Sequence, residues 1–187
     1  MSFTADRLLL FGATGDLAQR MLLPSLCALH ADKLVPDDLE IVGTARQPFD
    51  DAGYRNFARE ALEKFMPPER RGSMATFLNR LTYQPLDAND IAGYAALAEK
   101  VGQPSQGLAI FLSTAPNLFE PTIAGLTAGG LAGSTTRIGL EKPLGTSLET
   151  SREINDAVAR AFPEDRTFRI DHYLGKETVQ NLLALRF

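Results

Sequence analysis

The stretch that decides the fold is Leu8-Leu9-Leu10-Phe11-Gly12-Ala13-Thr14-Gly15-Asp16, near the start of the chain. Its four consecutive apolar residues, 8–11, are typical of a strand that is buried on both faces, as in a parallel sheet. The glycines at 12 and 15 predict a turn, and a helical pattern follows from Leu17 to about His30. A strand, a glycine-containing turn and a helix in this order predict the opening of a dinucleotide-binding unit.

The rest of the chain continues this alternation of strands and helices. Further strands are predicted at 40–45, 81–84, 107–113, 137–140 and 167–170. Helices are predicted at 50–65, 69–78, 89–101, 119–128, 147–162 and 177–187. Because strands alternate with helices throughout, we expect an α/β fold: a doubly wound, mostly parallel, Rossmann-like sheet with helices on both faces.

Composition limits the class of protein. The chain has 187 residues, of which 44% are hydrophobic and 22% charged, with a net charge of −4. This size suits one domain, and the negative charge argues against nucleic acid as a partner. No run reaches the ~18 apolar residues of a membrane span, so we expect no membrane partner and a cytoplasmic location. The single cysteine, Cys27, excludes an internal disulfide and fits a buried apolar position, and no metal site is predicted.

The first candidate site is the turn Gly12–Gly15, at the carboxyl end of the first strand. In an open parallel sheet the ligand crevice lies outside the carboxyl ends of the strands. A turn without bulky side chains lets backbone N–H groups approach a diphosphate at a helix N-terminus, and Thr14 can add a hydroxyl donor. The turn lacks the first glycine of the G-x-G-x-x-G pattern, since Leu10 stands there. Glycine pairs also occur in ordinary turns, so the motif alone leaves both interpretations open.

Arg46 follows the second predicted strand. An NAD-selective site usually has an acid here to bind the ribose 2′-hydroxyl, whereas a guanidinium suits the 2′-phosphate of NADP. The segment 44–47 contains no acid, so NADP is the predicted cofactor. The alternative is an ordinary surface arginine.

Two further segments end strands four and five. Small residues at 113–116 would let a nicotinamide ring lie against the backbone, although a plain loop would look the same. Lys142, in Glu141-Lys142-Pro143, can donate to a sugar hydroxyl or carbonyl near the nicotinamide. Pro143 can form a cis peptide or a hinge. The alternative for this segment is an ion pair followed by a helix-starting proline.

The densest polar cluster is Arg169-Ile170-Asp171-His172-Tyr173-Leu174-Gly175-Lys176. His172, Tyr173 and Lys176 can together donate to a dianionic phosphate. Asp171 can orient an imidazole and stabilise its protonated form. The alternative is that Asp171 caps a turn or helix.

These segments resemble the glucose-6-phosphate dehydrogenase family. The matching stretches are Gly12–Ala18, Ile41–Arg46, Glu141–Gly145 and Arg169–Glu177, and the last is the family's signature. The resemblance spans essentially the whole chain, in order. It implies oxidation of D-glucose 6-phosphate at C1 to 6-phospho-D-glucono-1,5-lactone with NADP⁺ as hydride acceptor, the entry step of the pentose phosphate pathway.

The resemblance also implies roles for individual residues. Cofactor contacts are expected from Gly12, Ala13, Thr14, Gly15, Asp16, Leu17, Arg46, Asp87, Pro116 and Lys142. Substrate contacts are expected from Lys142, His172, Tyr173 and Lys176. Asp171 would be the carboxylate half of a catalytic dyad, and Lys142 would also act in catalysis.

Known members of the family are longer, and their general base is a histidine in a second, α+β domain that we expect to be absent here. Residues 1–170 would be the dinucleotide-binding domain, and residues 171–187 the substrate-site turn and first helix of the second domain. We expect the chain to be inactive alone and the full-length protein to be a homo-oligomer, a dimer or tetramer. Two alternatives are a free-standing NADP-binding module for sensing or interaction and another NADP-dependent sugar dehydrogenase.

Overall fold

The protein is described by a computed structural model covering residues 5–171, in which six strands form one sheet. The strands are β1 (Arg7–Phe11), β2 (Glu40–Ala45), β3 (Leu81–Pro85), β4 (Leu108–Leu112), β5 (Thr136–Glu141) and β6 (Thr167–Ile170). Their order is β3-β2-β1-β4-β5-β6, and all neighbouring pairs are parallel. The strand order reverses between β1 and β4, which is the arrangement of a doubly wound dinucleotide-binding sheet. The predicted fold class is therefore confirmed.

Helices connect the strands. They are α1 (Leu23–Ala31), α2 (Asp51–Phe65), α3 (Met74–Leu78), α4 (Tyr94–Val101), α5 (Phe119–Ala128) and α6 (Leu148–Ala161). Short turns of other helix types lie between some of these elements: a π-helical turn at Ala18–Leu22 and 3₁₀ turns at Pro68–Ser73, Ile91–Gly93, Pro116–Leu118 and Glu164–Arg166. The predicted helix at 177–187 lies outside the described residues.

Side-chain caps fix where the two longest helices begin. The Asp50 carboxylate accepts the N–H of Gly53 at 2.7 Å, which caps α2. The Ser147 hydroxyl accepts the N–H of Thr150 at 3.2 Å, which caps α6. Each cap satisfies a backbone donor that the first helical turn leaves unpaired.

The sheet separates two hydrophobic clusters because successive residues of a strand face opposite sides. Leu10 packs in a cluster with α1, α2 and α3, which also contains the buried Cys27. Leu9 and Phe11 pack in the other cluster, with α4, α5 and α6. Helices therefore cover both faces, as predicted, although not to the same extent along the sheet.

The face that bears α1–α3 is less covered toward β6. In the described part of the chain, the buried cluster on this face contains no residue of β5 or β6. Phe168 is 46% exposed and Ile170 is 37% exposed. The β5–β6 end of the sheet thus presents apolar side chains on this side.

None of the helices within residues 5–171 is long and apolar enough to cross a membrane. The same range holds no group of three or more histidine, cysteine, aspartate or glutamate side chains that is placed to bind a metal ion.

Candidate functional site

A cleft of about 560 Å³ opens where the strand order reverses between β1 and β4. It is lined by the ends of β1 and β2 and by the turns that follow β1, β2, β3 and β4. Those are the positions at which doubly wound sheets bind their ligands. Of the residues predicted to bind cofactor, Gly12, Thr14, Gly15, Arg46 and Asp87 line this cleft.

Gly12 begins the turn after β1 and lies against β4. Its φ is +72°, and a Cβ at this position would overlap the carbonyl oxygen of Ser113. Only glycine meets both conditions without strain. The N–H groups of Gly12 and Ala13 both donate to the carbonyl of Thr44, at 3.0 and 3.2 Å. The turn is therefore held between β2 and β4, and Ala13 is buried beneath the cleft rather than lining it.

The helical segment that leads into α1 starts at this turn. Gly15 N–H donates to the carbonyl of Gly12 at 2.9 Å, and helical backbone begins at Asp16. The N-terminal end of a helix thus lies beside the cleft, where its free N–H groups favour an anion. Asp16 and Leu17 occupy the first turn without lining the cleft, and the exposed Asp16 carboxylate pairs with Arg20 at 3.7 Å.

Thr14 links two of the turns that form the cleft. Its hydroxyl donates to Gln47 Oε1 at 2.5 Å, and its carbonyl accepts from Gln19 Nε2 at 3.2 Å. Gln47 was not among the predicted site residues, although it directly follows Arg46 at the end of β2. Its position after the carboxyl end of a parallel strand could have predicted that it lines the cleft.

Arg46 is exposed at the edge of the cleft. Within residues 5–171 its guanidinium makes no hydrogen bond, so its donors are available to a ligand.

On the turn after β3, the Asp87 carboxylate accepts from the backbone and side-chain nitrogens of Asn89 at 2.9 and 3.0 Å. These two hydrogen bonds, with the nearby charge of Arg46, lower the pKa of Asp87. Asp87 is therefore a fixed anion and hydrogen-bond acceptor across from Arg46.

The turn after β4 contributes Thr114, which was predicted only as a small residue. Its hydroxyl oxygen is buried and has no hydrogen-bond partner among the described residues. A buried polar atom without a partner is costly in a folded protein, and this one belongs to a residue that lines the cleft. Pro116, predicted to contact cofactor, does not line this cleft. It lines an adjacent depression, which lies between the turn at Pro116–Leu118 and the start of α6.

Lys142 and Asp171 lie together at the carboxyl ends of β5 and β6. The backbone N–H of Lys142 donates to the carbonyl of Ile170 at 3.0 Å, and its ammonium lies 3.3 Å from Asp171 Oδ2. Lys142 is half-exposed, and the Lys142–Pro143 peptide is cis. The two residues predicted to act in catalysis are thus in contact. His172, Tyr173 and Lys176 lie outside the described residues.

Lys142 does not line the cleft at β1 and β4. It lies instead in a more open depression that follows β5, with Pro143, Gly145 and Arg169. Of the predicted cofactor contacts, Pro116 and Lys142 therefore lie in two separate depressions outside the cleft.

The sheet order, the glycine turn and the cleft at the switch point define a dinucleotide-binding protein. A family model described as the NAD binding domain of glucose-6-phosphate dehydrogenase matches residues 9–181. The chain belongs to this family. It contains the domain with which the family binds a nicotinamide dinucleotide.

Curated relatives of the chain are named glucose-6-phosphate 1-dehydrogenase. The chain is 54% identical over 189 residues to glucose-6-phosphate 1-dehydrogenase of Zymomonas mobilis, and the match covers 100% of the chain and 39% of that relative. It is 41% identical to the enzyme of Mycolicibacterium smegmatis, over 95% of the chain and 37% of the relative. The chain thus spans about two fifths of the length of these relatives.

Two solved structures agree with this assignment. The crystal structure of glucose-6-phosphate 1-dehydrogenase from Mycobacterium avium matches with a TM-score of 0.84 and 32% identity, over 98% of this chain and 39% of that one. A glucose-6-phosphate dehydrogenase in complex with its substrate glucose-6-phosphate matches with a TM-score of 0.84 and 28% identity, over 100% of this chain and 40% of that one.

Proposed function

We propose that this chain is the coenzyme-binding part of an NADP-dependent glucose-6-phosphate dehydrogenase. The observation that carries the choice of cofactor is the position of Arg46, which follows β2 at the edge of the cleft and makes no hydrogen bond in the described part of the chain. A guanidinium in this position suits the 2′-phosphate that distinguishes NADP from NAD. The names of the relatives support the sugar substrate.

The residues of the cleft fit a dinucleotide in three respects. Gly12 has no side chain, so the turn packs directly against the Ser113 carbonyl and lines the cleft with backbone that a diphosphate can approach. The helix that begins at Asp16 offers N–H groups to its charge. Thr114 offers a buried hydroxyl that has no other partner in the described range. When bound, NADP⁺ supplies the hydride acceptor for the reaction.

The reaction proposed for the whole protein is oxidation of D-glucose 6-phosphate at C1 to 6-phospho-D-glucono-1,5-lactone. The substrate loses a hydride from C1 and a proton from the C1 hydroxyl, and the products are the lactone, NADPH and a proton. His172, Tyr173 and Lys176 would hold the sugar phosphate. The Lys142 ammonium, steered by the Asp171 carboxylate 3.3 Å away, would bind the sugar near its reacting end. Asp171 would also stabilise the protonated form of a histidine base.

Two other features of the proposed enzyme stay predictions. They are assembly into a homo-oligomer and a cytoplasmic location. The division of the chain into residues 1–170 and 171–187 is also a prediction.

Replacing Arg46 by alanine tests the cofactor assignment. The wild-type chain should bind NADP⁺ more tightly than NAD⁺ in a calorimetric titration. Arg46→Ala should weaken NADP⁺ binding by roughly 10- to 100-fold, the loss of charge-assisted hydrogen bonds worth about 1.5–3 kcal/mol. NAD⁺ binding should change little, because NAD⁺ has no 2′-phosphate.

Arg59→Ala is the matched control. Arg59 is an exposed arginine of α2 whose side chain donates to Asn56 at 2.8 Å and does not line the cleft. It should leave both affinities unchanged. Equal affinity of the wild-type chain for NAD⁺ and NADP⁺ would refute the NADP assignment. The sugar substrate is tested separately in the full-length protein, where NADPH should form with glucose 6-phosphate and not with other sugar phosphates.

A further inference from the structure

The turn that carries Arg46 accepts hydrogen bonds from the hydroxyl of Tyr83. Tyr83 lies in β3 and is only 2% exposed. Its hydroxyl oxygen is 2.9 Å from the carbonyl oxygen of Ala45 and 2.9 Å from that of Gln47. Because a phenol has one proton, the hydroxyl shares or alternates this proton between the two carbonyls. Both acceptors flank Arg46, so one side chain restrains the backbone on either side of it.

Packing and a backbone hydrogen bond hold the Tyr83 ring in place. Its centroid lies 4.8 Å from the ring of Tyr54 and 5.9 Å from that of Phe49. Its backbone N–H donates to Asp51 Oδ1 at 2.8 Å. Burial raises the pKa of Tyr83 to about 12, so the hydroxyl keeps its proton at neutral pH. The turn therefore rests on a rigid donor.

The direction of the two carbonyls matters for an anion. Each carbonyl accepts a hydrogen bond from the buried Tyr83 hydroxyl, so both oxygens are directed into the protein interior. Their partial negative charge is therefore kept away from a phosphate bound beside Arg46. The Leu86 N–H also donates to the Ala45 carbonyl and the Phe49 N–H to the Gln47 carbonyl, at 2.9 and 3.0 Å, so the Tyr83 hydroxyl is the donor that joins the two carbonyls. Without the hydroxyl each carbonyl would keep one backbone donor, but the two would no longer be held to one point. The guanidinium between them would then sample more positions, which lowers the affinity of any ligand that requires one of them.

We propose that Tyr83 is a positioning residue that orients the Arg46 turn for the 2′-phosphate and thereby contributes to the preference for NADP⁺ over NAD⁺. This inference rests on the proposed function, in which Arg46 binds that phosphate. The alternative is a tyrosine that only packs the core. A packing role predicts equal effects on both dinucleotides, whereas a positioning role predicts an effect on NADP⁺ alone.

Tyr83→Phe tests the proposal because it removes the hydroxyl and keeps the ring. NADP⁺ affinity should fall about fivefold, the order of one hydrogen bond, with NAD⁺ affinity unchanged. The same contrast should appear with 2′,5′-ADP and ADP, which carry the discriminating phosphate without the nicotinamide. Thermal unfolding of each variant shows whether it is folded.

Tyr54→Phe is the matched control. Tyr54 is fully buried in the same aromatic cluster, and its hydroxyl has no hydrogen-bond partner among the described residues. Removing this hydroxyl should leave both affinities unchanged. The neighbouring position thus separates loss of a buried hydroxyl from loss of the two carbonyl contacts.

A double-mutant cycle with Arg46→Ala completes the design. In the Arg46→Ala background, Tyr83→Phe should cause no further loss of NADP⁺ affinity, because the side chain that it positions is gone. An equal loss for NADP⁺ and NAD⁺, additive effects in the cycle, or unchanged NADP⁺ affinity in Tyr83→Phe would each refute the positioning role. A wild-type chain with no preference for NADP⁺ would instead refute the proposed cofactor assignment, and this inference with it.

Discussion

Asp6 is a buried charge at the end of the sheet opposite the cleft. It is 5% exposed and precedes β1, and it accepts hydrogen bonds from the loop that precedes β4. The donors are the N–H groups of Ser105, Gln106 and Gly107 and the Ser105 hydroxyl, at 2.7–3.0 Å. Burial alone would raise the pKa of Asp6, but these four donors outweigh it and hold the pKa well below its usual value. The ionised carboxylate thus ties the starts of two central strands together.

This arrangement predicts a stability that depends on pH. The folded-state pKa of Asp6 is below the unfolded value of about 3.9, so its stabilisation is present above that pH and is lost as the pH falls. Asp6→Asn should lower the free energy of unfolding by about 2 kcal/mol at neutral pH, because the amide replaces an ionised acceptor. The difference from wild type should shrink below pH ~4. Urea denaturation at several pH values measures both effects.

Asp156→Asn serves as the control for Asp6. Asp156 is exposed on α6, so its replacement should leave unfolding nearly unchanged. A constant difference between wild type and Asp6→Asn from neutral pH down to pH ~3 would contradict the role assigned to the carboxylate.

At the scale of elements, α2 protects an edge of the sheet. β3 is an edge strand, and such strands present unpaired backbone groups that invite aggregation. Two side chains of α2 satisfy these groups: Asp51 accepts the N–H of Tyr83 at 2.8 Å, and Arg55 donates to the carbonyl of Leu81 at 2.8 Å. Lys100 of α4 pairs with Asp51 at 2.8 Å. Helices from both faces therefore meet at this edge.

Asp51→Ala should weaken the edge at β3. It leaves the N–H of Tyr83 and the ammonium of Lys100 without their acceptor, so the free energy of unfolding should fall by about 1–2 kcal/mol. Aggregation should also increase, because the strand edge becomes available for pairing. Urea denaturation and light scattering measure these changes. Glu60→Ala, an exposed change on the same helix, is the control, and equal behaviour of the two variants would contradict the edge role.

The strands were predictable because their signal is local. β2 and β6 have the predicted bounds, β1 and β3 differ by one residue at one end, and β4 and β5 differ by one residue at both ends. The helix predicted from Leu17 to His30 proved less regular. It contains a π-helical turn at Ala18–Leu22 before α1, and apolar periodicity does not distinguish that backbone pattern from an α-helix.

The candidate site was predictable in part. Gly12, Arg46 and Lys142 follow from topology, since parallel strands place their carboxyl ends at one edge. Tyr83 and Thr114 were not recognised as polar contacts. The role of Tyr83 depends on a hydroxyl that reaches the neighbouring strand's turn, and that of Thr114 depends on burial without a partner. Neither property is visible in the order of residues.

At the scale of the whole molecule, the β5–β6 half of the sheet face that bears α1–α3 exposes apolar side chains. Phe111, Gly139 and Phe168 lie in register on β4, β5 and β6. On this face, no residue of β5 or β6 belongs to the buried cluster formed with α1–α3 in the described range. Exposed apolar surface next to a second edge strand, β6, favours association with another protein surface.

The isolated 187-residue chain should therefore self-associate. Analytical ultracentrifugation should show its average mass rising with concentration, and the double variant Phe168→Ser/Ile170→Thr should reduce this rise because it removes apolar surface beside the β6 edge. Leu34→Ser is the control: Leu34 is 70% exposed in the connection between α1 and β2, apart from this face, so self-association should persist. A wild-type chain that stays monomeric at high concentration, or an equal reduction by Leu34→Ser, would show that the β5–β6 face does not drive association.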